Sequence, residues 1–358
     1  MSFHEMLIAI MAVFAVLGAL DRIAGNRWGL GKEFEEGILA MGSLALAMVG
    51  IVSLAPVLAG LLKPLVVPVY TFLGADPAMF AGTILASDMG GGALAAQMTA
   101  DPRAAALGGV ITGSMLGATV VFTIPVAMGI LREEDRPAMA KGILCGIVTI
   151  PFGVLAGGLT AGFPVGMVLR NLVPIVLIAA LIAFGLWRAE GAMVRGFVLF
   201  GKFVIALVTV GLAAAIVEAL TGYVIIPGMA PVSEGFETVG TIAILLAGAF
   251  PLVFVLTKLL RQPLMSAGKL LGINDAAAAG LIASLANSIA TFGLVKDMNR
   301  RGKVVNIAFA VSAAFVFGDH LGFAAGFAPE MIGPMIVAKL VGGVSAIAVA
   351  LWLTRKEA

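Results

Sequence analysis

Lys63-Pro64-Leu65, Gly74-Ala75-Asp76, Gly82 and Ser87-Asp88-Met89-Gly90-Gly91-Gly92 recur about 200 residues later as Gln262-Pro263-Leu264, Gly272-Ile273-Asn274, Gly280 and Asn287-Ser288. Each copy has a short apolar arm, a helix start with Asp or Asn, an apolar stretch and then a polar break. In a very apolar chain, a pair of interrupted segments at corresponding positions points to the substrate site of a transporter.

The surrounding composition sets the class. Apolar residues make up 61% of the chain and charged residues 12%, whereas a soluble domain is roughly 45–50% apolar and about 25% charged. This predicts an all-α polytopic membrane protein with no soluble domain and no long linker. The lipid bilayer is its expected partner, and no nucleic acid is. Two His and one Cys exclude a Cys/His zinc cluster and an intrachain disulfide, so neither metal nor cofactor is expected. Cys145, in an apolar run, reads as a packing residue. Residues 6–20 lack the basic flank and small-residue cleavage site of a signal peptide and read as a retained span.

Apolar runs of about 20 residues predict spans near 6–20, 37–62, 104–131, 139–161, 171–187, 197–219, 238–260, 304–326 and 334–354. The broken segments are 77–100 and 275–296. If both crossed the membrane, the 22 Lys and Arg would divide evenly between the two sides. If both are re-entrant hairpins, 18 fall on one side. The other side then keeps only Lys63, Arg103, Arg170 and Lys339. That bias fits the positive-inside rule, with the N-terminus outside and the C-terminus in the cytoplasm.

Residues 1–161 then form a first repeat of two spans, a hairpin and two spans. Residues 162–196 supply a linking span, and residues 197–358 a second repeat, inverted by the odd number of crossings between them. The arms 63–73 and 262–271 read as short interfacial helices. Asp76-Pro77 and Asn274-Asp275 read as the helix starts that follow them.

Asp88 is an isolated carboxylate at membrane depth beside three glycines, the setting of a group that lines a cavity. The alternative is a cap on the hairpin's second helix. Met89 and Gly90 belong to the same break. Asn287 and Ser288 form the other tip, as ligand groups or as a plain cap. A carboxylate facing an amide can hold a small cation and still hydrogen-bond a neutral polar group. Asp319 and His320 fall inside the span 304–326, where the imidazole suggests a proton-linked step and a buried structural pair is the alternative. Glu35, Glu36 and Glu237 precede their spans, where the helix dipole favours carboxylates; Glu36 is also a site candidate. Ser114, Thr119 and Thr123 either line the path or bond their own backbone. Phe80, Phe122, Phe292, Phe315 and Phe317 are available to face a cation. No catalytic motif of the H-E-x-x-H, G-x-S-x-G or P-loop kind occurs, and an intramembrane dyad of Asp88 and Asp319 is the enzyme alternative.

Several strings together resemble the ethanolamine-utilisation permease family, EutH, over nearly the whole length. They include Phe34-Glu35-Glu36-Gly37, Leu54-Ala55-Pro56-Val57-Leu58, Met79-Phe80-Ala81-Gly82-Thr83, Asp88-Met89-Gly90-Gly91, Ile147-Val148-Thr149-Ile150-Pro151, Leu285-Ala286-Asn287, Arg301-Gly302-Lys303-Val304 and Gly318-Asp319-His320-Leu321-Gly322-Phe323-Ala324-Ala325. The resemblance implies a bacterial inner-membrane protein that admits ethanolamine for catabolism by the ethanolamine ammonia-lyase pathway. Two departures fall at the tips. Ala93 follows the glycines where a bulkier residue is expected, and Asn287-Ser288-Ile289-Ala290 stands where Asn-Asn-Ile-Pro is expected. The remaining readings are an ion- or proton-coupled carrier of another small polar solute and a membrane sensor or anchor. Assembly as a homo-oligomer follows only by fold-level analogy.

Overall fold

The computed structural model describes residues 3–355; Lys356, one of the 18 cations on the predicted cytoplasmic side, lies outside them. Among the described residues the chain is helical throughout. Seven helical segments are long and apolar enough to cross a bilayer: Phe3–Ile23, Leu30–Phe72, Pro102–Ile130, Glu133–Thr160, Val165–Thr221, Val232–Leu259 and Pro329–Leu353.

α1 (Phe3–Ile23) turns into α2 (Leu30–Phe72). The buried Asp21 carboxylate closes this turn by accepting from the backbone N–H groups of Trp28 and Gly31, at 3.0 and 2.9 Å. Helix α2 therefore starts before Glu35 and Glu36. These residues stand one to two turns inside it, paired with Arg22 and Lys32, not ahead of the helix.

The arms differ from expectation as well. Residues 63–72 continue α2 without a break, and residues 262–270 likewise belong to α9 (Val232–Leu270). Pro64, Pro68 and Pro263 sit inside these helices. Proline is tolerated in membrane helices because neighbouring groups satisfy the freed carbonyls, so a Pro motif there does not mark a separate element. At 43 residues, α2 is about 65 Å long, roughly twice the hydrocarbon thickness.

The first break is a helix–turn–helix of α3 (Ala78–Ile84), a tight turn over Ser87–Met89, and α4 (Gly91–Met98). Asp76 starts it, accepting from the Ala78 N–H at 2.8 Å, as its sequence position suggests. α3 and α4 nest on α5 (Pro102–Ile130), which is wound in wide π turns over 106–117 and 119–123. The contact is backbone to backbone: a Cβ on Gly82 would overlap the Gly108 carbonyl.

α6 (Arg136–Ile147) and α7 (Ile150–Thr160) follow. α8 (Val165–Thr221) is one run of 57 residues folded at Ala189, whose φ of −148° and ψ of 49° are not helical. It contains both the linking span and the span predicted at 197–219.

After α9 comes the second break, α10 (Asp275–Ala286) and α11 (Ser288–Leu294). Asn274 caps α10 by accepting from the Ala277 N–H at 3.2 Å. The span predicted at 304–326 is itself broken, into α12 (Arg300–Ala313) and α13 (Asp319–Phe327). The linker 314–318 is pinned to the end of α10. Phe315 N–H donates to the Ser284 carbonyl at 3.0 Å, and Phe317 N–H to the Leu285 carbonyl at 2.9 Å. Those bonds replace helical ones, so the unwound backbone remains satisfied away from water. α14 (Ile332–Leu353) completes the chain.

Candidate functional site

Two cavities meet at Asp319. The smaller, about 390 Å³, is lined by Asp88 and Met89 from the first tip, Ser43 and Ala47 from α2, Phe122 from α5, Lys202 from α8, and Phe315, Asp319 and His320. The larger, about 850 Å³, is lined by Glu33 and Glu36 from α2, Lys258 and Arg261 from α9, Asp275 and Asn287 from the second break, and Phe317 and Asp319. Phe315 and Phe317, two positions apart on the unwound linker, thus face different cavities. The tip residues Asp88 and Asn287 do not share one; the carboxylate common to both is Asp319.

Asp88 owes its position to the turn that follows it. Gly90, with φ of 95°, holds a left-handed conformation against the Ile51 side chain. No side chain caps α4, so the capping role considered for Asp88 is not the one it plays. Its partner is His320, with Nε2 at 3.6 Å from Asp88 Oδ1. His320 Nδ1 lies 3.0 Å from Lys339 Nζ, and Lys339 donates to the Ser114 carbonyl at 2.5 Å. Lys339 is 1% exposed and His320 3%. A fully buried Lys is rare without partners, and here the partners are His320 and the Ser114 carbonyl.

Lys339 therefore leaves the outer-side loop count in which the sequence reading placed it, so that side keeps Lys63, Arg103 and Arg170. Its position near the start of a predicted span resembles a cation reaching for the interface. A basic residue inside the span 334–354 was the one available signal.

Phe315 and Phe122 meet edge to face at 5.4 Å, and Phe315 stands 5.4 Å from the His320 ring, placing aromatic surface beside Asp88. Asn287 caps α11, accepting from the Ile289 N–H at 2.7 Å, while also lining the larger cavity. Ser288 is buried and its hydroxyl has no partner.

The hydroxyls proposed for the path are turned elsewhere. Ser114 Oγ donates to the Ile111 carbonyl, and Thr119 Oγ1 lies within bonding distance of the Met115 and Val311 carbonyls. Both are buried outside the two cavities, because a hydroxyl within a membrane helix is satisfied most easily by its own preceding turn. Ser114 contributes its backbone oxygen instead.

A bundle of apolar helices with interrupted helices meeting at buried ionisable groups defines a polytopic membrane protein built around an intramembrane polar site. The match to the family described as "Ethanolamine utilisation protein, EutH" runs over residues 3–353, and the chain belongs to that family. It is 60% identical to a protein named "Probable ethanolamine permease EutH" from Listeria monocytogenes serotype 1/2a (strain 10403S), over 99% of this chain and 95% of that one. It is 49% identical to a protein of the same name from Escherichia coli (strain K12), over 100% and 97%. It is also 54% identical to "Uncharacterized protein YxeR" from Bacillus subtilis (strain 168), over 99% and 96%. No solved structure matches the chain.

Proposed function

We propose that this protein takes up ethanolamine across the bacterial inner membrane for catabolism, acting as a permease and not as an enzyme. Family membership and the relatives' names support the substrate. The single observation that carries the mechanism is Asp88: a carboxylate at the tip of a broken helix, on a 390 Å³ cavity with aromatic rings beside it. Ethanolamine is a small amino alcohol, mostly cationic at neutral pH. Its ammonium pairs with Asp88 and lies against Phe122 and Phe315, Met89 shapes the wall, and Asp319 receives the substrate between the two cavities.

In this reading α3–α4 and α10–α11 are re-entrant hairpins entering from opposite faces. Residues 1–161 and 197–358 are inverted repeats about the linking span. The like order of a long helix and then a broken segment in both halves supports the repeat, and the distribution of Lys and Arg supports an outside N-terminus and a cytoplasmic C-terminus. Assembly of copies belongs to this reading only by analogy with other carriers of this architecture.

A cation and a carboxylate at about 4 Å attract by roughly 4 kcal/mol at the dielectric effective near a protein surface. Asp88→Asn is therefore expected to lower uptake of labelled ethanolamine at least tenfold, at equal protein in the membrane, in a strain without another ethanolamine permease. Uptake at the wild-type rate would rule out Asp88 as the ammonium partner.

A further inference from the structure

Lys339, His320 and Asp88 form a buried line from α14 through α13 to the first tip; Asp88 and His320 line the smaller cavity, and Lys339 lies behind them. A lysine ammonium has donors and no acceptor. When Lys339 is charged and donates to Nδ1, the imidazole is neutral and carries its proton on Nε2, toward Asp88. The charge that balances Asp88 in the empty cavity then resides on Lys339, with His320 as the link. The other ionisable groups facing this cluster are Asp319 on α13 and, across the smaller cavity, Lys202 on α8.

We propose that Lys339 is the resident cation of the carrier, giving up its proton when an organic ammonium takes Asp88 and recovering it when the ammonium leaves. This rests on the reading of Asp88 as the ammonium site.

The step balances. One N–H bond of the Lys339 ammonium breaks, its electron pair stays on Nζ, and the proton passes to His320 Nδ1. The Nε2 proton passes to water in the smaller cavity. The contact then reverses, with Nδ1–H donating to the neutral Lys339 amine. The bared Nε2 lone pair accepts from the substrate ammonium beside Asp88, so the incoming cation gains two partners at the moment the resident charge departs. The buried cluster holds the same net charge before and after, which limits the cost of carrying charge at membrane depth. Substrate cation and proton exchange one for one.

The test is proton release on binding. Purified full-length protein in weakly buffered detergent solution with a pH dye at pH 7 receives ethanolamine adjusted to the same pH, and equilibrium dialysis with labelled ethanolamine measures occupancy. The wild type is expected to release about one proton per molecule bound, as linkage requires. Folded Lys339→Met is expected to bind ethanolamine and release none. Binding by the wild type without proton release overturns the proposal and leaves Asp88 as the ammonium site. Equal release from Lys339→Met also overturns it, because the proton then does not come from Lys339. Absence of binding by the wild type removes both readings. Lys339→Gln serves as the second variant. Wild-type protein in liposomes adds a readout independent of folding in the variants. Cation–proton exchange is electroneutral, so stimulation of ethanolamine uptake by an inside-negative potassium diffusion potential overturns the proposal.

Discussion

At the scale of single residues, Gly90 sets the geometry of the site. Its φ of 95° suits glycine and strains any residue with a Cβ, and a Cβ there would also run into Ile51. Gly90→Ala is expected to destabilise the protein by about 1–2 kcal/mol from the backbone alone, with the clash added. A lowered melting temperature in detergent, with reduced ethanolamine uptake, is the expected result; wild-type values for both would show that the tip tolerates a side chain. Asp88 and His320 were legible in the sequence because ionisable groups are conspicuous in apolar surroundings. Lys339 was not, since a lysine near a span end normally reaches for the interface. Its burial depends on His320 and on the Ser114 carbonyl, which are brought to it only by packing. Ser114 and Thr119 misled for the converse reason. A polar side chain in a membrane helix suggests a path, yet the nearest acceptor is the carbonyl one turn back.

The element that most depends on tertiary contacts is the linker 314–318. The flanking sequence reads as one apolar span, 304–326; its glycines, Gly318, Gly322 and Gly326, are common in membrane helices, and Asp319-His320 signals a site without signalling a break. Its backbone is unwound by bonds to Ser284 and Leu285 on α10, far away in sequence. Phe315, at φ of 62°, is the strained residue of the turn, held by Phe122 and by these bonds. Gly318 lets the linker lie against the Ala286 carbonyl, where a Cβ would overlap the oxygen. Gly318→Ala is therefore expected to separate linker and α10 and to abolish most ethanolamine uptake. The same variant should increase amide exchange at 284–286 and 315–318; uptake and exchange at wild-type levels would show that the contact is dispensable. The starts of α3 and α10, by contrast, were readable from Asp76-Pro77 and Asn274-Asp275. Capping is a local rule, and local rules survive without knowledge of the fold.

For the molecule as a whole, sidedness is the property to measure. Single cysteines replacing Lys63 and Arg103 are expected to react with an impermeant maleimide from outside, and those replacing Gln262 and Arg300 only from the cytoplasm. All four positions are exposed, and the native Cys145 is buried. Opposite sidedness for 63 and 103 would make α3–α4 a crossing and end the re-entrant reading. The unbroken passage of α2 into the first arm has a mechanical corollary. Pro56 stands 16 residues before the end of a 43-residue helix whose far end leads directly to α3. A bend of about 10° at that proline swings roughly 24 Å of rigid rod and moves its end by about 4 Å. Helix α9 extends somewhat farther, about 28 Å, beyond Pro251. A flexure at either proline, Pro56 half-buried and Pro251 buried, would be delivered, magnified, to the elements that carry the tips.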